Sequence, residues 1–157
     1  MPRTRQFARR PAFDVLEGRE LLSATKNVPT SFLLTPIPES AVLAEHIHPF
    51  LTIITEGKRL EIPGGIGLKA NGNLPIHTHD SSGILHIEST QKLPFRLRDF
   101  FTIWGQPFSK NNMLGFKVDK THKLTMMVNA KPSMAFGSLL LKDFQDIVIR
   151  YVAVKHR

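Results

Sequence analysis

The chain has 157 residues, 41% of them hydrophobic and 11 of them phenylalanine, which is typical of one globular domain and argues against extensive disorder. The net charge is +8, from 21 Lys and Arg against 13 Asp and Glu. Basic residues beyond the N-terminus are scattered and lack interleaved aromatic residues, so we expect no nucleic-acid partner. There is no apolar run of about 18 residues, so we expect no membrane span. The absence of cysteine excludes disulfides and thiolate metal ligands.

Residues 1–25 differ from the rest of the chain. A signal peptide needs an uninterrupted apolar stretch of roughly 7–15 residues, and charged residues interrupt this segment. It contains instead the pattern Leu16-Glu17-x-Arg19-x-Leu21-Leu22-Ser23. This pattern resembles the LEPR-XLL element near the N-terminus of many bacterial surface and secreted proteins, with Gly18 in the place of the usual Pro. The resemblance implies an exported or envelope-associated protein with an N-terminal leader; without it, we would expect a cytoplasmic one.

Residues 26–40 contain three prolines and predict an extended linker. The sequence thus predicts a leader or sorting element at 1–25, a linker at 26–40 and a single β-rich domain at 41–157. Because few contacts cross a flexible linker, we expect a chain that begins near Ser40 to melt at the same temperature as the whole chain.

The sequence becomes β-rich from His46. Residues 46–54 are rich in β-branched and aromatic side chains, and the turn at 56–58 leads to a second strand, which predicts a β-hairpin. Two alternating runs between Ile76 and Glu88 predict a second hairpin around the turn Asp80-Ser81-Ser82-Gly83. Between the two hairpins, the glycine run Gly64-Gly65-x-Gly67 lacks the lysine of a phosphate-binding loop and predicts a turn.

The C-terminal half adds one helix and two strands. One apolar helical face is formed by Leu97, Phe100, Phe101 and Trp104, and Gly105 ends it. Residues 124–128 and 146–154 predict strands, and the nearly continuous second run predicts a central one. We therefore expect a mainly β protein, a small β-sandwich or barrel of antiparallel hairpins with one short helix near 96–104.

Five of the seven histidines fall in the two predicted hairpins: His46, His48, His77, His79 and His86. Alternate residues of a strand project to the same side, so each His-x-His pair presents both imidazoles to one face. His86-Ile87-Glu88 repeats this spacing with a carboxylate in the second place. His122 and His156 lie outside the cluster.

An even-length loop in the second hairpin places His77 directly opposite His86, with Cβ atoms about 4.5–5.5 Å apart. His79 then lies diagonally across from His86, and Glu88 follows on the same face. His46 and His48 need only come from a neighbouring strand to complete the site or to support its ligands. Asp80 is a candidate for orienting an imidazole through its free N–H.

This set of side chains predicts a site for one divalent transition metal, since imidazole and carboxylate suit Zn, Cu, Ni or Fe(II). Three histidines, or two and a carboxylate, leave a coordination position open for water or a small molecule. We expect the site histidines to be partly exposed and to contribute little to the core. Metal affinity should weaken below about pH 6, because the ligating imidazole must be neutral.

The segment His77-x-His79, with Gly72 and Pro75 before it, resembles the first metal motif of cupins, which are small double-stranded β-barrels. The cupin Glu and Gly positions hold Ser82 and Gly83 here, and the carboxylate comes only at Glu88. The stretch 46–104 is also similar to a family of uncharacterised bacterial and archaeal proteins that share His-x-His-Pro and His-Thr-His-Asp-Ser-Ser-Gly. That resemblance implies no particular reaction.

Three functions follow as hypotheses. The first is an exported or envelope-associated metal-binding module. The second is a cupin-like mononuclear metalloenzyme, of the oxygenase or isomerase type, acting on a small molecule. The third is a surface interaction domain whose histidines respond to pH. The sequence does not decide whether the protein is an enzyme.

Overall fold

The computed structural model describes residues 27–155. Residues 1–26, which hold the predicted leader and the LEPR-XLL-like element, lie outside the described residues, as do 156–157. The helical elements are α1 (Thr30–Leu33), α2 (Leu97–Trp104) and a 3-10 turn (Phe136–Ser138). The strands are β1 (Glu45–Ile47), β2 (Phe50–Thr55), β3 (Lys58–Leu60), β4 (Leu68–Lys69), β5 (Gly72–Asn73), β6 (Ile76–His77), β7 (His86–Ser89), β8 (Phe108–Ser109), β9 (Asn112–Met113), β10 (Phe116–Lys117), β11 (His122–Val128), β12 (Lys131–Ser133) and β13 (Asp146–Ala153).

The largest sheet has five strands in the order β12-β11-β13-β2-β3. Its central strand β13 pairs antiparallel with β11 and parallel with β2. Ile147 and Ile149 of β13 are fully buried, as a strand with neighbours on both edges requires. The prediction of a central strand at 146–154 is therefore confirmed, and so is the hairpin formed by β2 and β3.

The predicted strand at 46–54 is divided in two by Pro49. Proline has no amide hydrogen to donate to a strand ladder, so the pairing changes partner at this residue. On one side β1 pairs with β7, and on the other β2 joins the five-stranded sheet. The same break separates His46 and His48, because only His46 lies within a strand.

Helix α2 packs on the core through the apolar face predicted from the sequence. Leu97, Phe100 and Phe101 are buried, and the helix packs against β6 and the 3-10 turn. Its first turn is capped by the Asp99 carboxylate, which accepts a hydrogen bond of 2.7 Å from the Arg96 amide. Gly105 ends the helix in the left-handed conformation, with φ of 71°.

The remaining strands form smaller antiparallel sheets, β1-β7-β6, β10-β9-β8 and β4-β5. In the described part of the chain the sheets do not close into a barrel, and the arrangement is that of a small β-sandwich-like fold. The prediction of a mainly β protein with one short helix near 96–104 is confirmed. No helix between residues 27 and 155 has both the length and the apolar character to cross a bilayer.

Part of the segment that we interpreted as a linker packs on the core. Val28 is 6% exposed and Leu33, in α1, is 2% exposed. Further along, the amide and carbonyl of Ile37 form hydrogen bonds of 2.8 and 3.2 Å with the backbone of Asn73. The segment therefore contributes buried apolar surface, which its three prolines did not indicate.

Truncation at two positions tests this contribution. A chain that begins at Asn27 is expected to melt as the whole chain does. A chain that begins at Ser40 loses two buried side chains, each contributing about 1.5–3 kcal/mol, so its melting temperature should fall by about 10 °C. Thermal unfolding followed by circular dichroism measures both. Equal melting temperatures for the two truncated chains would show that the segment is indeed a linker.

Candidate metal centre

The histidines converge on the three-stranded sheet β1-β7-β6. His77 in β6 lies directly opposite His86 in β7, so the register predicted from an even-length loop is confirmed. In β7 the residues Ile87 and Ser89 are buried, whereas His86 and Glu88 project to the half-exposed face. Strand β1 pairs along the other edge of β7 and adds its histidine to the same face.

The five imidazole rings form one continuous cluster. The ring centroids of His77 and His79 are 5.0 Å apart. The centroid of the His86 ring lies 5.5 Å from that of His77 and 4.5 Å from that of His79. On the other side the His86 centroid is 4.8 Å from that of His48, which is 4.6 Å from that of His46. Both His-x-His pairs thus lie beside His86, the first of them on a neighbouring strand and the residues that follow it.

Within this cluster two sets of three histidines have ring nitrogens that all lie within 4.8 Å of one another. We call His77, His79 and His86 the inner triad, and His46, His48 and His86 the outer triad. Zn–N bonds are 2.0–2.1 Å long, so the nitrogens of a tetrahedral site lie roughly 3.3 Å from one another, and rotation of the side chains would have to reduce the present separations to that value. Either triad could therefore supply three ligands to one ion.

His77 is the most constrained member of the inner triad. Its side chain is fully buried, so the expectation that the site histidines are partly exposed is wrong for this residue. Its Nδ1 lies 3.0 Å from the Leu74 carbonyl, an oxygen that can only accept, so Nδ1 carries the proton and donates it. Its Nε2 then bears a lone pair, is buried and has no hydrogen-bond partner among residues 27–155. Burial lowers the pKa of His77, which favours the neutral, ligating form.

His86 is the ring that both triads share. Burial, and after it the neighbouring rings of His79, His48 and His77, lower the pKa of His86 to about 4. The imidazole is therefore neutral at pH 7 without a metal ion. Within residues 27–155 neither of its nitrogens has a hydrogen-bond partner in the protein.

This depressed pKa predicts a pH-dependent stability of the metal-free protein. The unfolded chain protonates His86 near its ordinary value of 6.5, whereas the folded chain does so only near 4. The unfolded state thus binds more protons between these limits, and the free energy of unfolding should fall as the pH drops from about 6.5 to 4. Urea unfolding at pH 7, 6 and 5 measures the effect, and His86→Asn should reduce it. A urea midpoint that is constant over this range would contradict the prediction.

The inner triad is held from behind by the loop at 63–67. Thr78, between the two histidines of its pair, is fully buried and forms four hydrogen bonds of 2.8–3.1 Å with residues 63–66. A Cβ at Gly64 would lie 2.8 Å from the Asp80 Cα, and one at Gly67 would lie 2.6 Å from the Ile76 carbonyl oxygen. The glycine run is the predicted turn, and its lack of side chains lets the backbone of the loop approach the site.

The two predicted carboxylates belong to neither triad. Glu88 lies opposite His46 in the sheet, and its Oε1 is 3.2 Å from the His46 Nε2. Glu88 is therefore placed to orient the His46 ring, and it is not one of the residues whose ligand atoms converge in either triad. Asp80 accepts a hydrogen bond of 2.9 Å from the Ser82 amide, and its bonds with Ser82 lower the pKa of its carboxyl. Its carboxylate thus stabilises the loop, and it forms no hydrogen bond with any imidazole in the described part of the chain.

Two partners of the site carried no signal in the sequence. The Leu74 carbonyl is a backbone group, so no residue type could have indicated it. Asp143 lies 95 positions from His48, and its Oδ1 accepts a hydrogen bond of 2.8 Å from the His48 amide. His122 lies away from the cluster, where its ring stacks on Tyr151 and its Nε2 is 3.4 Å from Glu56.

No family model, curated protein or solved structure matches the chain. What the site can do therefore follows from its own chemistry. Three imidazoles that converge without thiolates are a ligand set for Zn, Cu, Ni or Fe(II), and three ligands leave a coordination position open.

Proposed function

We propose that the protein binds a divalent transition metal at the inner triad and acts as a metal-binding module. The observation that carries the proposal is the Nε2 of His77. A buried polar atom without a hydrogen-bond partner costs about 1–3 kcal/mol unless another group satisfies it. A metal ion held by this nitrogen would satisfy it, and the hydrogen bond from Nδ1 to the Leu74 carbonyl is the support that metal-ligating histidines typically have.

The electrostatics of the other ligands support the same proposal. Positive charge on one ring disfavours it on the next, and this contributes to the low pKa of His86. His86 is therefore uncharged at neutral pH, and few protons compete with the ion at this ring. The expectation that the affinity weakens below about pH 6 stays a prediction for the site as a whole, because every ligating imidazole must be neutral.

Binding rather than catalysis is the function that the site supports best. A metalloenzyme of the cupin-like type would need an acid or base beside the open coordination position. The two carboxylates nearest in sequence are engaged elsewhere, Glu88 with His46 and Asp80 with Ser82. We therefore propose capture or handling of the metal ion itself, with the ion as the partner of the protein.

Calorimetric titration of the tag-free whole chain with Cu(II), Ni(II) and Zn(II) tests the proposed function. We expect a dissociation constant tighter than roughly 10 µM for at least one of them, since the ring nitrogens of the inner triad already lie close together. If all three metals bind more weakly than this, the proposed function is wrong.

We also propose that the module is exported or associated with the cell envelope. The support is the LEPR-XLL-like pattern at residues 16–23, which lies outside the described residues. Fractionation of bacterial cells that produce the whole chain, compared with a chain in which Leu21 and Leu22 are replaced by Ser, tests this part. Recovery of both chains from the cytoplasm would exclude export by this element.

A further inference from the structure

The two triads are complete three-ligand sets that share one residue. Each has two histidines of its own, His77 and His79 on the inner side, and His46 and His48 on the outer side. His86 alone belongs to both. A single ion at one triad would therefore leave two converging imidazoles of the other without an ion.

The His86 ring is suited to serve both sets at once. Its two nitrogens lie on different edges of the ring, and within residues 27–155 neither is committed to a hydrogen bond. Its ring plane lies at 79° to that of His79, with centroids 4.5 Å apart, and at 88° to that of His48, with centroids 4.8 Å apart. This differs from His77, whose Nδ1 is occupied by the Leu74 carbonyl and which can offer one nitrogen only.

We propose that the cluster holds two divalent metal ions, one at each triad, with the ring of His86 bridging them as an imidazolate. The inference rests on the proposed function, because the first ion occupies the inner triad. When the second ion binds, the remaining N–H of His86 loses its proton to solvent and that nitrogen forms the new metal bond. No electron is transferred, and the bridge carries one negative charge between the two cations.

Negative charge on the outer side favours a second cation there. The Glu88 carboxylate lies 3.2 Å from the His46 Nε2. The Asp143 Oδ1 is 3.9 Å from the His48 Nδ1 and accepts a hydrogen bond from the amide of the same residue. Together with the imidazolate, these charges offset the repulsion between two ions. The His46 side chain is 51% exposed and that of His48 is 32% exposed, so the outer ion should exchange with solvent faster than the inner one.

Copper(II) is the probe for the test, because an imidazolate bridge couples the unpaired electrons of two Cu(II) ions. The tag-free whole chain is loaded with excess Cu(II), desalted and analysed for copper content and for integrated electron paramagnetic resonance intensity. We expect two copper ions per chain and less than half of the intensity of two isolated ions. The double variant His46→Ala/His48→Ala should retain one copper ion with the full intensity of one spin. His122→Ala, outside the cluster, should behave as the unaltered chain does.

The outcomes separate the two proposals. One copper ion in both the unaltered chain and the double variant overturns the second site and leaves the proposed function standing. Two copper ions with the full intensity of two spins overturn the bridge. Absence of bound copper from every chain, together with no binding of Zn(II) or Ni(II) by calorimetry, overturns both. The double variant alters only exposed or half-exposed side chains, and its melting temperature without metal verifies that it folds.

Discussion

Replacement of His86 by alanine is expected to lower the affinity for the first metal ion by more than about 100-fold. Substitution of a residue that only forms a hydrogen bond to a metal ligand typically lowers it about 10–100-fold. This ring faces His77 across the hairpin and belongs to both triads, so no second set of three remains. Because the side chain is only half-buried, the metal-free variant should stay folded. Competition titration with a chromophoric chelator measures the change in affinity.

His122→Ala is the matched control, since it removes an imidazole outside the cluster. It should bind metal as the unaltered chain does. Unchanged affinity in His86→Ala would mean that the ligands come from elsewhere in the cluster. A loss confined to His122→Ala would place the site on the five-stranded sheet instead, near Tyr151.

His77→Ala should also abolish tight binding, but with a second consequence. Its side chain is fully buried, so truncation leaves a cavity and removes the hydrogen bond to Leu74. We expect a loss of about 2–4 kcal/mol in the stability of the metal-free protein, by analogy with other large-to-small changes in a core. His86→Ala is therefore the cleaner test of ligation, and His77→Ala the test of burial.

Gly67→Ala is expected to cause a larger loss of stability than alanine at either of the other two glycines of the loop at 63–67. Gly67 has φ of 78°, a conformation in which an L side chain is strained. Its added Cβ would also lie 2.6 Å from the Ile76 carbonyl oxygen and 3.1 Å from the His77 Cβ. Strand β6 must then move, so we expect a loss of about 3 kcal/mol or more and weaker metal binding.

Gly65→Ala provides the control from the same loop. Gly65 has φ of 84°, but a Cβ there would meet no atom within 4 Å. It should lose only the conformational strain, about 1–2 kcal/mol, and keep its metal affinity. Urea unfolding and metal titration of both variants measure the difference. Equal effects in the two variants would show that contact with β6 contributes nothing to the site.

Much of the site could be predicted because its geometry is local. The pairing of His77 with His86 requires only an even number of loop residues, and the alternation of strand side chains then fixes the faces. The central position of β13 could also be predicted from the sequence, since a continuous apolar run such as Ile147-Val148-Ile149 is typical of a strand with neighbours on both edges. These features depend on residues that are close in sequence.

Features that depend on distant residues could not be predicted. The burial of His77 arises from tertiary packing, because helix α2 packs against the strand β6 that carries it. Asp143 reaches His48 only after the chain has folded back over 95 positions. Pro49 is visible in the sequence, but a proline is also tolerated in an edge strand, so its presence alone does not predict a break. The strand is divided because β1 and β2 pair with different sheets.

The parallel pairing of β2 with β13 fixes when the site can mature during synthesis. The hairpins that carry the histidines lie between residues 45 and 89, but the loop between β6 and β7 is attached to β2 by the bond from the Leu51 amide to the Gly83 carbonyl, 2.8 Å long. Strand β2 gains its central neighbour only after β13 has left the ribosome, and contacts of such long sequence separation form slowly. We therefore expect the loop that carries the histidines to be held against β2 only after residues 146–153 have been synthesised.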